Sequence, residues 1–163
     1  MNRLSAEIID ILQEDARKTP GEIAHLLGED EEKVARQIRQ LEDEKVILKY
    51  RPVINMEKID SDRVQALIEV RVTPQRDHGF DAIAERIYKF EEVRSVYLMS
   101  GAYDLLVIVE GKSMKHVALF VAQRLSVLEG VLSTATHFML RKYKDDGVII
   151  GGDEKDSRLV VSP

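Results

Sequence analysis

The change of hydrophobic spacing near Arg51-Pro52 constrains the fold of this chain most strongly. Before this point apolar residues recur every three or four positions, as in amphipathic helices. After it, stretches of alternating apolar and polar residues are separated by helical stretches. A length of 163 residues suits two small domains. We therefore predict helices in residues 1–50, a strand and hinge linker in 51–63, a mixed domain in 64–143 and a tail in 144–163.

Composition narrows the class of protein. The chain is 44% hydrophobic and 33% charged, which is typical of a globular protein. No stretch approaches the roughly 18 apolar residues of a membrane helix, and Glu7 interrupts the place of a signal peptide's apolar run. We therefore expect a cytoplasmic protein without a membrane partner. Because there is no cysteine and no metal-binding or phosphate-loop spacing, we expect no metal and no cofactor.

Capping signals divide the first fifty residues into three helices. Ser5 is a good N-cap for a helix that ends near Asp15. The run Thr19-Pro20-Gly21-Glu22 is a capping box, and Gly28 is suited to end the short helix that follows. Asp30 then caps a third helix. Two helices joined by so tight a glycine turn indicate a helix-turn-helix.

The third helix has an apolar side and a polar side. Val34, Ile38 and Leu41 fall together, as expected of residues that face a core. The side chains that project outward and are candidates for DNA contact are Lys33, Arg36, Gln37, Arg39 and Gln40. Arginine and glutamine can hydrogen-bond to guanine and adenine edges. The pattern alone also fits a three-helix bundle that binds nothing.

The second part of the chain predicts a four-stranded sheet with two helices. Gly101-Ala102 joins the middle strands as a hairpin in which Gly101 is free to take a positive φ, and Pro74 ends the first strand. The predicted order is strand 64–73, helix 79–90, strands 93–100 and 103–110, a helix capped by Ser113, and strand 131–143. This is the ferredoxin-like βαββαβ arrangement. The fold class is therefore α+β.

One face of this sheet has no cover within the chain. Right-handed crossovers place both helices on the same face. If the other face carries apolar residues such as Leu67, Val107 or Ile108, it needs a partner. A second copy related by a two-fold axis is the simplest partner, so we predict a homodimer.

The order of these motifs resembles the Lrp/AsnC family of transcription regulators. The resemblance covers roughly residues 4–143 and includes Glu22-Ile23-Ala24, the hairpin Gly101-Ala102-Tyr103-Asp104 and the run from Gly130 to Thr136. It implies a winged-helix-like helix-turn-helix whose third helix enters the major groove of double-stranded DNA. It also implies a ferredoxin-like (RAM) domain that forms dimers, often assembled into octamers, and that binds an amino-acid effector.

The resemblance also implies an effector pocket. Its residues would be Ser100, Gly101, Tyr103 and Asp104 of the hairpin, with Thr134 and Thr136 of the last strand. A carboxylate such as that of Asp104 can accept hydrogen bonds from an α-ammonium group, and backbone N–H groups at a glycine turn can hold a carboxylate. From the residues alone, these positions also fit an ordinary hairpin and strand.

The charge of residues 1–50 departs from what a DNA-binding unit usually shows. This segment has eight Lys and Arg residues against twelve Asp and Glu, a net charge of −4. The family usually has Ser at the cap of the third helix and Arg before Ile38, whereas this chain has Asp30 and Gln37. We attribute the run Glu29-Asp30-Glu31-Glu32 to helix capping on a solvated face. Weak binding by single modules would then be strengthened by assembly.

Two other functions fit the two-domain outline. One is a ligand-sensing oligomer with weakened or lost DNA binding, which the acidic first domain favours. The other is an enzyme that resembles the siroheme decarboxylases. The histidines His25, His78, His116 and His137 are isolated in the sequence, without the closely grouped His and Arg residues of a tetrapyrrole pocket. We therefore expect no enzymatic activity.

Overall fold

The computed structural model describes residues 2–59, 63–73 and 79–150. They form two compact units, and the boundary lies between Ile54 and Asn55, inside the predicted linker. Pro74, His78 and the tail beyond Ile150 lie outside the described residues. Among the described residues, no helix is both long and apolar enough to cross a membrane.

The first unit consists of three helices around a small core. They are α1 (Arg3–Glu14), α2 (Pro20–Leu27) and α3 (Glu31–Asp43). The buried apolar side chains of this core are Ile8, Ile23, Ala24, Val34 and Leu41. Ile38 packs against them from α3, as its spacing predicts. All three helices contribute to this core. The face of α3 opposite its buried residues therefore points toward solvent.

The turn between α2 and α3 forms as the sequence predicts. Thr19 N–H donates to Glu22 Oε2 at 2.7 Å while the Thr19 side chain accepts from Glu22 N–H, which completes the capping box. Gly28 has φ 66° and ψ 33°, the left-handed conformation that ends α2. Asp30 Oδ1 accepts from Lys33 N–H at 3.0 Å and so caps α3. The helix-turn-helix is therefore held by local hydrogen bonds.

The start of α1 differs from the prediction. Asn2, not Ser5, is the N-cap, because its Oδ1 accepts from Ser5 N–H at 2.8 Å. Ser5 lies buried in the first turn and donates from Oγ to the same Asn2 oxygen at 2.9 Å. Asparagine is as good a cap as serine, and from Asn2 it satisfies one of the orphan N–H groups of the first turn, that of Ser5.

The segment that follows α3 does not pair as a strand. Residues 46–54, all of which the structure describes, form neither helix nor strand, and a short 3-10 helix follows at Met56–Lys58. Ile47 N–H donates to Leu41 O at 3.0 Å, which folds this segment back onto the end of α3. Tyr50 Oη donates to Glu42 Oε1 at 2.9 Å. Burial, together with this hydrogen bond, raises the pKa of Tyr50 to about 12.

The second unit has the predicted βαββαβ order. Its elements are β1 (Val64–Val72), α4 (Asp81–Tyr88), β2 (Val93–Leu98), β3 (Leu105–Gly111), α5 (Met114–Phe120), which continues as a short π-helix (Val121–Leu125), and β4 (Val131–Phe138). The sheet order is β2-β3-β1-β4, and every neighbouring pair is antiparallel. Ser113 caps α5 by accepting from His116 N–H, as predicted. This sheet carries the loop between β2 and β3 at one end.

Both helices cover the same face of the sheet. Ile83 and Ile87 of α4 and Phe120 of α5 belong to one core with Ile68 of β1. Val107 is fully buried in this core, so its predicted outward position is wrong. The alternation of β3 begins inward at Leu105, which places Val107 inward and Ile108 outward. Ile108 is the register partner of Leu67, and both are half-buried on the face away from the helices.

The connection between β2 and β3 is longer than a two-residue hairpin. Both strands stop short of Gly101-Ala102, and residues 99–104 connect them. Met99 N–H donates to Asp104 O at 2.8 Å, which closes the loop, and Asp104 N–H donates to Val70 O at 3.1 Å. Gly101 does not have a positive φ. In a loop of this length no residue is forced into the left-handed region, so that expectation fails.

The last strand also ends early. β4 stops at Phe138 instead of Tyr143, and β5 (Lys144–Asp145) pairs with β6 (Val148–Ile149) in a separate hairpin. Asp146 and Gly147 have φ values of 46° and 80°, as a type I′ turn requires. The apolar run at the start of the predicted tail therefore pairs within the tail.

Candidate functional site

The outward face of α3 carries most of the predicted DNA-contacting residues. Because Val34 and Leu41 are buried and Ile38 packs beside them, the opposite side of the helix faces solvent. The exposed side chains among the predicted residues are Lys33, Arg36, Arg39 and Gln40. Gln37 is different, since it is half-buried and its Oε1 accepts from Asn2 Nδ2 at 3.4 Å. Gln37 therefore lies on the flank of the helix, beside the start of α1.

The two cations in the first half of this face are each paired with an acid. Lys33 Nζ lies 2.7 Å from Glu29 Oε2, and Arg36 Nη1 lies 3.7 Å from Glu32 Oε2. Glu32 stands four residues before Arg36 within α3, the favourable order on a helix, whereas Glu29 stands four residues before Lys33 but just ahead of the Asp30 cap. These pairs are absent from the sequence predictions, although the i, i+4 spacing of Glu and Lys or Arg indicates them.

The other two acids of the run have local structural roles. Asp30 is the N-cap of α3. A Cβ atom added to Gly21 would lie 3.2 Å from the carboxylate of Glu31, so Glu31 packs against the first turn of α2. The interpretation of the whole run as capping therefore holds for Asp30 alone. Glu29 and Glu32 act on the cations of the outward face.

The predicted effector residues of the hairpin lie together at the end of β2 and β3. Ser100 and Gly101 are exposed, while Tyr103 and Asp104 are half-buried. Asp104 Oδ2 accepts from Val72 N–H at 2.8 Å. The register of β1 with β3 ends at Val70 and Leu105, so this carboxylate takes the place of a strand carbonyl for the last N–H of β1. Asp104 therefore ties the loop to the sheet.

Thr134 and Thr136 lie on the far side of β1 from this loop. Thr134 is the register partner of Val70, and Thr136 is the partner of Ile68. Because β1 stands between β4 and β3, two strand spacings of about 10 Å in total separate the threonines from β3. Thr134 is level with Leu105, at the same end of the sheet as the loop. The structure thus brings the hairpin residues together and leaves both threonines on the other side of β1.

Arg71 is a residue near this loop that the sequence analysis missed. Its Nε donates to Ala102 O at 2.9 Å, so the guanidinium holds the tip of the loop against the outward face of β1. The alternation of β1 predicts that Arg71 points outward, but nothing in the sequence identifies a backbone carbonyl 31 residues away as its partner. Arg71 and Asp104 fix the loop from two sides.

The sheet face opposite the helices mixes apolar and charged side chains. Leu67 and Ile108 lie at its centre, and His137 Nε2 lies 3.3 Å from Glu69 Oε1 beside them. Burial raises the pKa of Glu110, but hydrogen bonds from Arg63 and Arg94 outweigh burial and hold this pKa below its usual value. Within the part of the chain that the structure describes, no group of three His, Asp or Glu side chains is arranged for a metal ion.

A helix-turn-helix unit followed by a ligand-binding-type βαββαβ unit defines a two-domain class of transcription regulators. A family model described as a winged helix-turn-helix DNA-binding domain matches residues 1–47, and one described as the Lrp/AsnC ligand binding domain matches residues 65–149. The chain belongs to the Lrp/AsnC family. The predicted family and fold class are confirmed.

Individual relatives agree with this assignment. The chain is 50% identical over 158 residues to the uncharacterized HTH-type transcriptional regulator YugG of Bacillus subtilis (strain 168), covering 96% of this chain and 95% of that protein. A transcriptional regulator of Neisseria meningitidis, solved as a complex with L-Met, is 25% identical with a TM-score of 0.70, covering 89% of this chain and 93% of that one. AsnC of Escherichia coli, at 18% identity and a TM-score of 0.66 over 87% and 93% of the two chains, shows the shared fold.

Proposed function

We propose that this protein is a sequence-specific, DNA-binding transcription regulator whose assembly or DNA binding is modulated by an amino acid or a related small molecule. The observation that carries the proposal is the outward face of α3. There Lys33, Arg36, Arg39 and Gln40 stand opposite the buried stripe of a helix-turn-helix. Lysine and arginine can contact phosphates, and arginine and glutamine can contact base edges in the major groove. Gln37 would contribute from the flank.

The second unit supports the effector part of the proposal. It matches a ligand-binding family, and the relative from Neisseria meningitidis was solved with an amino acid. The proposed pocket consists of Ser100, Gly101, Tyr103, Asp104, Thr134 and Thr136. Because Asp104 Oδ2 already accepts from Val72 N–H, an α-ammonium group would share this carboxylate through Oδ1. Binding at the loop would therefore act on a residue that also anchors β1.

The uncovered face of the sheet supports assembly. Leu67 and Ile108 are half-buried at its centre without help from the helices of their own chain. A second copy would cover them, and dimers could assemble further, as far as an octamer. Assembly would set the helix-turn-helix units at fixed spacing, as paired half-sites in DNA require. An effector can shift this arrangement only by its difference in affinity for the two states.

DNA selection tests the proposed function directly. Full-length protein is mixed with fragmented genomic DNA at low salt, and bound fragments are recovered by gel shift and sequenced. We expect a recurring sequence whose affinity falls about linearly on a log scale with salt concentration. Arg36→Ala/Arg39→Ala should abolish the complex, whereas Arg86→Ala/Lys89→Ala, in α4 and at its C-cap, should not.

Two outcomes would contradict the proposal. If no fragment is retained even at the lowest salt while amino acids still raise the melting temperature, the protein is a ligand sensor without DNA binding. If a tetrapyrrole binds with a new absorbance band and DNA does not, the enzyme-like alternative replaces the regulator.

A further inference from the structure

We propose that Glu29 and Glu32 are specificity-determining residues that suppress sequence-independent DNA binding by keeping Lys33 and Arg36 in ion pairs on the outward face of α3. This inference rests on the proposed DNA-binding function. It concerns how strongly the protein binds DNA of any sequence, and it assigns that property to two carboxylates rather than to the cations.

The geometry selects these two acids from the four in the run. Asp30 caps α3, and Glu31 packs against Gly21, so both carboxylates serve the turn. Glu29 and Glu32 have no such role among the hydrogen bonds and ion pairs of the described residues, where each pairs with one cation. The Glu32 side chain is 86% exposed and that of Arg36 is 65% exposed. The Lys33 side chain is 51% exposed and that of Glu29 is 33% exposed, so both cations lie on the surface that would approach DNA.

The pairs act on sequence-independent affinity. Proteins bind arbitrary DNA sequences mainly by neutralising phosphates with Lys and Arg, which releases condensed counterions from the DNA. A cation that keeps its carboxylate neutralises no phosphate and brings a negative charge into the field of the duplex. At an exposed site an ion pair is weak, so it yields where a good set of base contacts competes with it. Arbitrary sequences lack those base contacts. The ion pairs therefore weaken the binding of arbitrary sequences more than the binding of a specific site.

Residues 29–44 contain few cations, so two ion pairs there affect most of the positive charge that α3 can offer to DNA. Between Glu29 and Glu44 there are seven acids and only three cations, Lys33, Arg36 and Arg39. Two of the three are paired with Glu29 or Glu32, and Arg39 Nε instead donates to Ala35 O at 3.3 Å. Phosphate binding by α3 thus depends mainly on whether these two pairs persist.

The test uses the full chain and a labelled duplex of random sequence. Fluorescence anisotropy gives the affinity of the unsubstituted protein and of Glu29→Gln/Glu32→Gln over a range of salt concentrations. Each released cation should steepen the slope of log affinity against log salt by about 0.9. The slope of the double variant should therefore be steeper by about 2 for each subunit that contacts DNA. A fourfold rise in salt should then cost the variant about tenfold more affinity than it costs the unsubstituted protein.

A matched control removes the same charge and two similar pairs elsewhere. Glu85 pairs with Lys89 at i, i+4, and the Glu129 to Arg86 pair of 3.9 Å has the same 86% exposed acid as the Glu32 pair. Glu85→Gln/Glu129→Gln should leave both affinity and slope unchanged, because these pairs lie in the second unit. Circular dichroism confirms that each variant is folded.

The outcomes separate this inference from the proposed function. Tighter and steeper binding by the α3 variant alone supports the inference. An equal slope and affinity for the α3 variant and the unsubstituted protein, when both bind selected genomic fragments, overturns the inference and leaves the proposed function standing. Equal gains in the control variant also overturn it, because net charge would then explain them. If only the α3 variant binds any DNA, the inference stands and the proposed function of the unsubstituted protein fails.

Discussion

Asp104 connects the proposed effector pocket to the stability of the sheet, and its replacement separates the two roles. Asp104→Ala removes the acceptor of Val72 N–H, a part-buried group 2.8 Å from Oδ2 at the end of β1. A hydrogen bond to a charged group contributes about 1.5–3 kcal/mol. Because Asp104 is only half-buried and water can replace it in part, we expect a loss near the lower end, about 1.5 kcal/mol.

Asp104→Asn is the matched comparison. Its amide oxygen can still accept from Val72 N–H, and neutral hydrogen bonds are about half as strong as charged ones, so the loss should be about 0.7 kcal/mol. Both variants lack the charge that would hold an α-ammonium group. We therefore expect both to lose the rise in melting temperature caused by the effector, while the fall in urea midpoint should be about twice as large in Asp104→Ala as in Asp104→Asn.

Urea unfolding followed by circular dichroism at one protein concentration measures the first effect. With a urea dependence of about 1.5 kcal/mol per M, the midpoint of the second unit should fall by about 1 M in Asp104→Ala. An unchanged midpoint would refute the structural role of the carboxylate. A full amino-acid response in Asp104→Asn would remove the charge of Asp104 from the pocket.

The remaining predictions concern the turn, the outer sheet face and its acid response. Gly28→Ala forces a side chain into φ 66° and should lower the stability of the first unit by about 1–2 kcal/mol in urea, whereas an unchanged midpoint would contradict the left-handed turn. Ile108→Glu places a charge at the centre of the uncovered face and should shift light scattering from dimer to monomer; an intact dimer would locate the interface elsewhere. The folded pKa of Glu110 lies below its ordinary value near 4.5, so its contribution to stability is complete above the unfolded pKa and lost as pH falls through the folded one. Glu110→Gln should therefore be less stable than the unsubstituted protein at neutral pH and equal to it in acid, and a constant difference at every pH would contradict the ion pairs with Arg63 and Arg94.

The sequence predicts the elements that depend on local chemistry. The capping box at Thr19 and Glu22, the glycine stop at Gly28 and the cap at Asp30 each use residues within four positions of one another, so the pattern contains the whole interaction. The order of strands and helices from Val64 onward is predictable for the same reason, because alternation and helical spacing are local. This order, with the right-handed crossover rule, then gives the ferredoxin-like arrangement and the face that the helices cover.

The features that the sequence does not reveal depend on distant partners. Arg71 and Asp104 fix the loop through backbone groups of Ala102 and Val72, and no local pattern identifies those partners. The predicted outward position of Val107 is wrong because alternation alone does not say which side chains of β3 face the helices. The structure shows that Leu105 and Val107 do. The effector pocket remains a prediction for a similar reason, since its residues come from the loop between β2 and β3 and from β4, with β1 between them.

The most direct test of the proposed regulation measures DNA binding with and without an amino acid. The amino acid that raises the melting temperature most is added at saturation to a titration of a selected genomic fragment. We predict a change in the dissociation constant of about 5-fold to 150-fold, and the same factor in the affinity for the amino acid when DNA is bound, as linkage requires. Identical DNA-binding isotherms with and without the bound amino acid would contradict the proposed regulation.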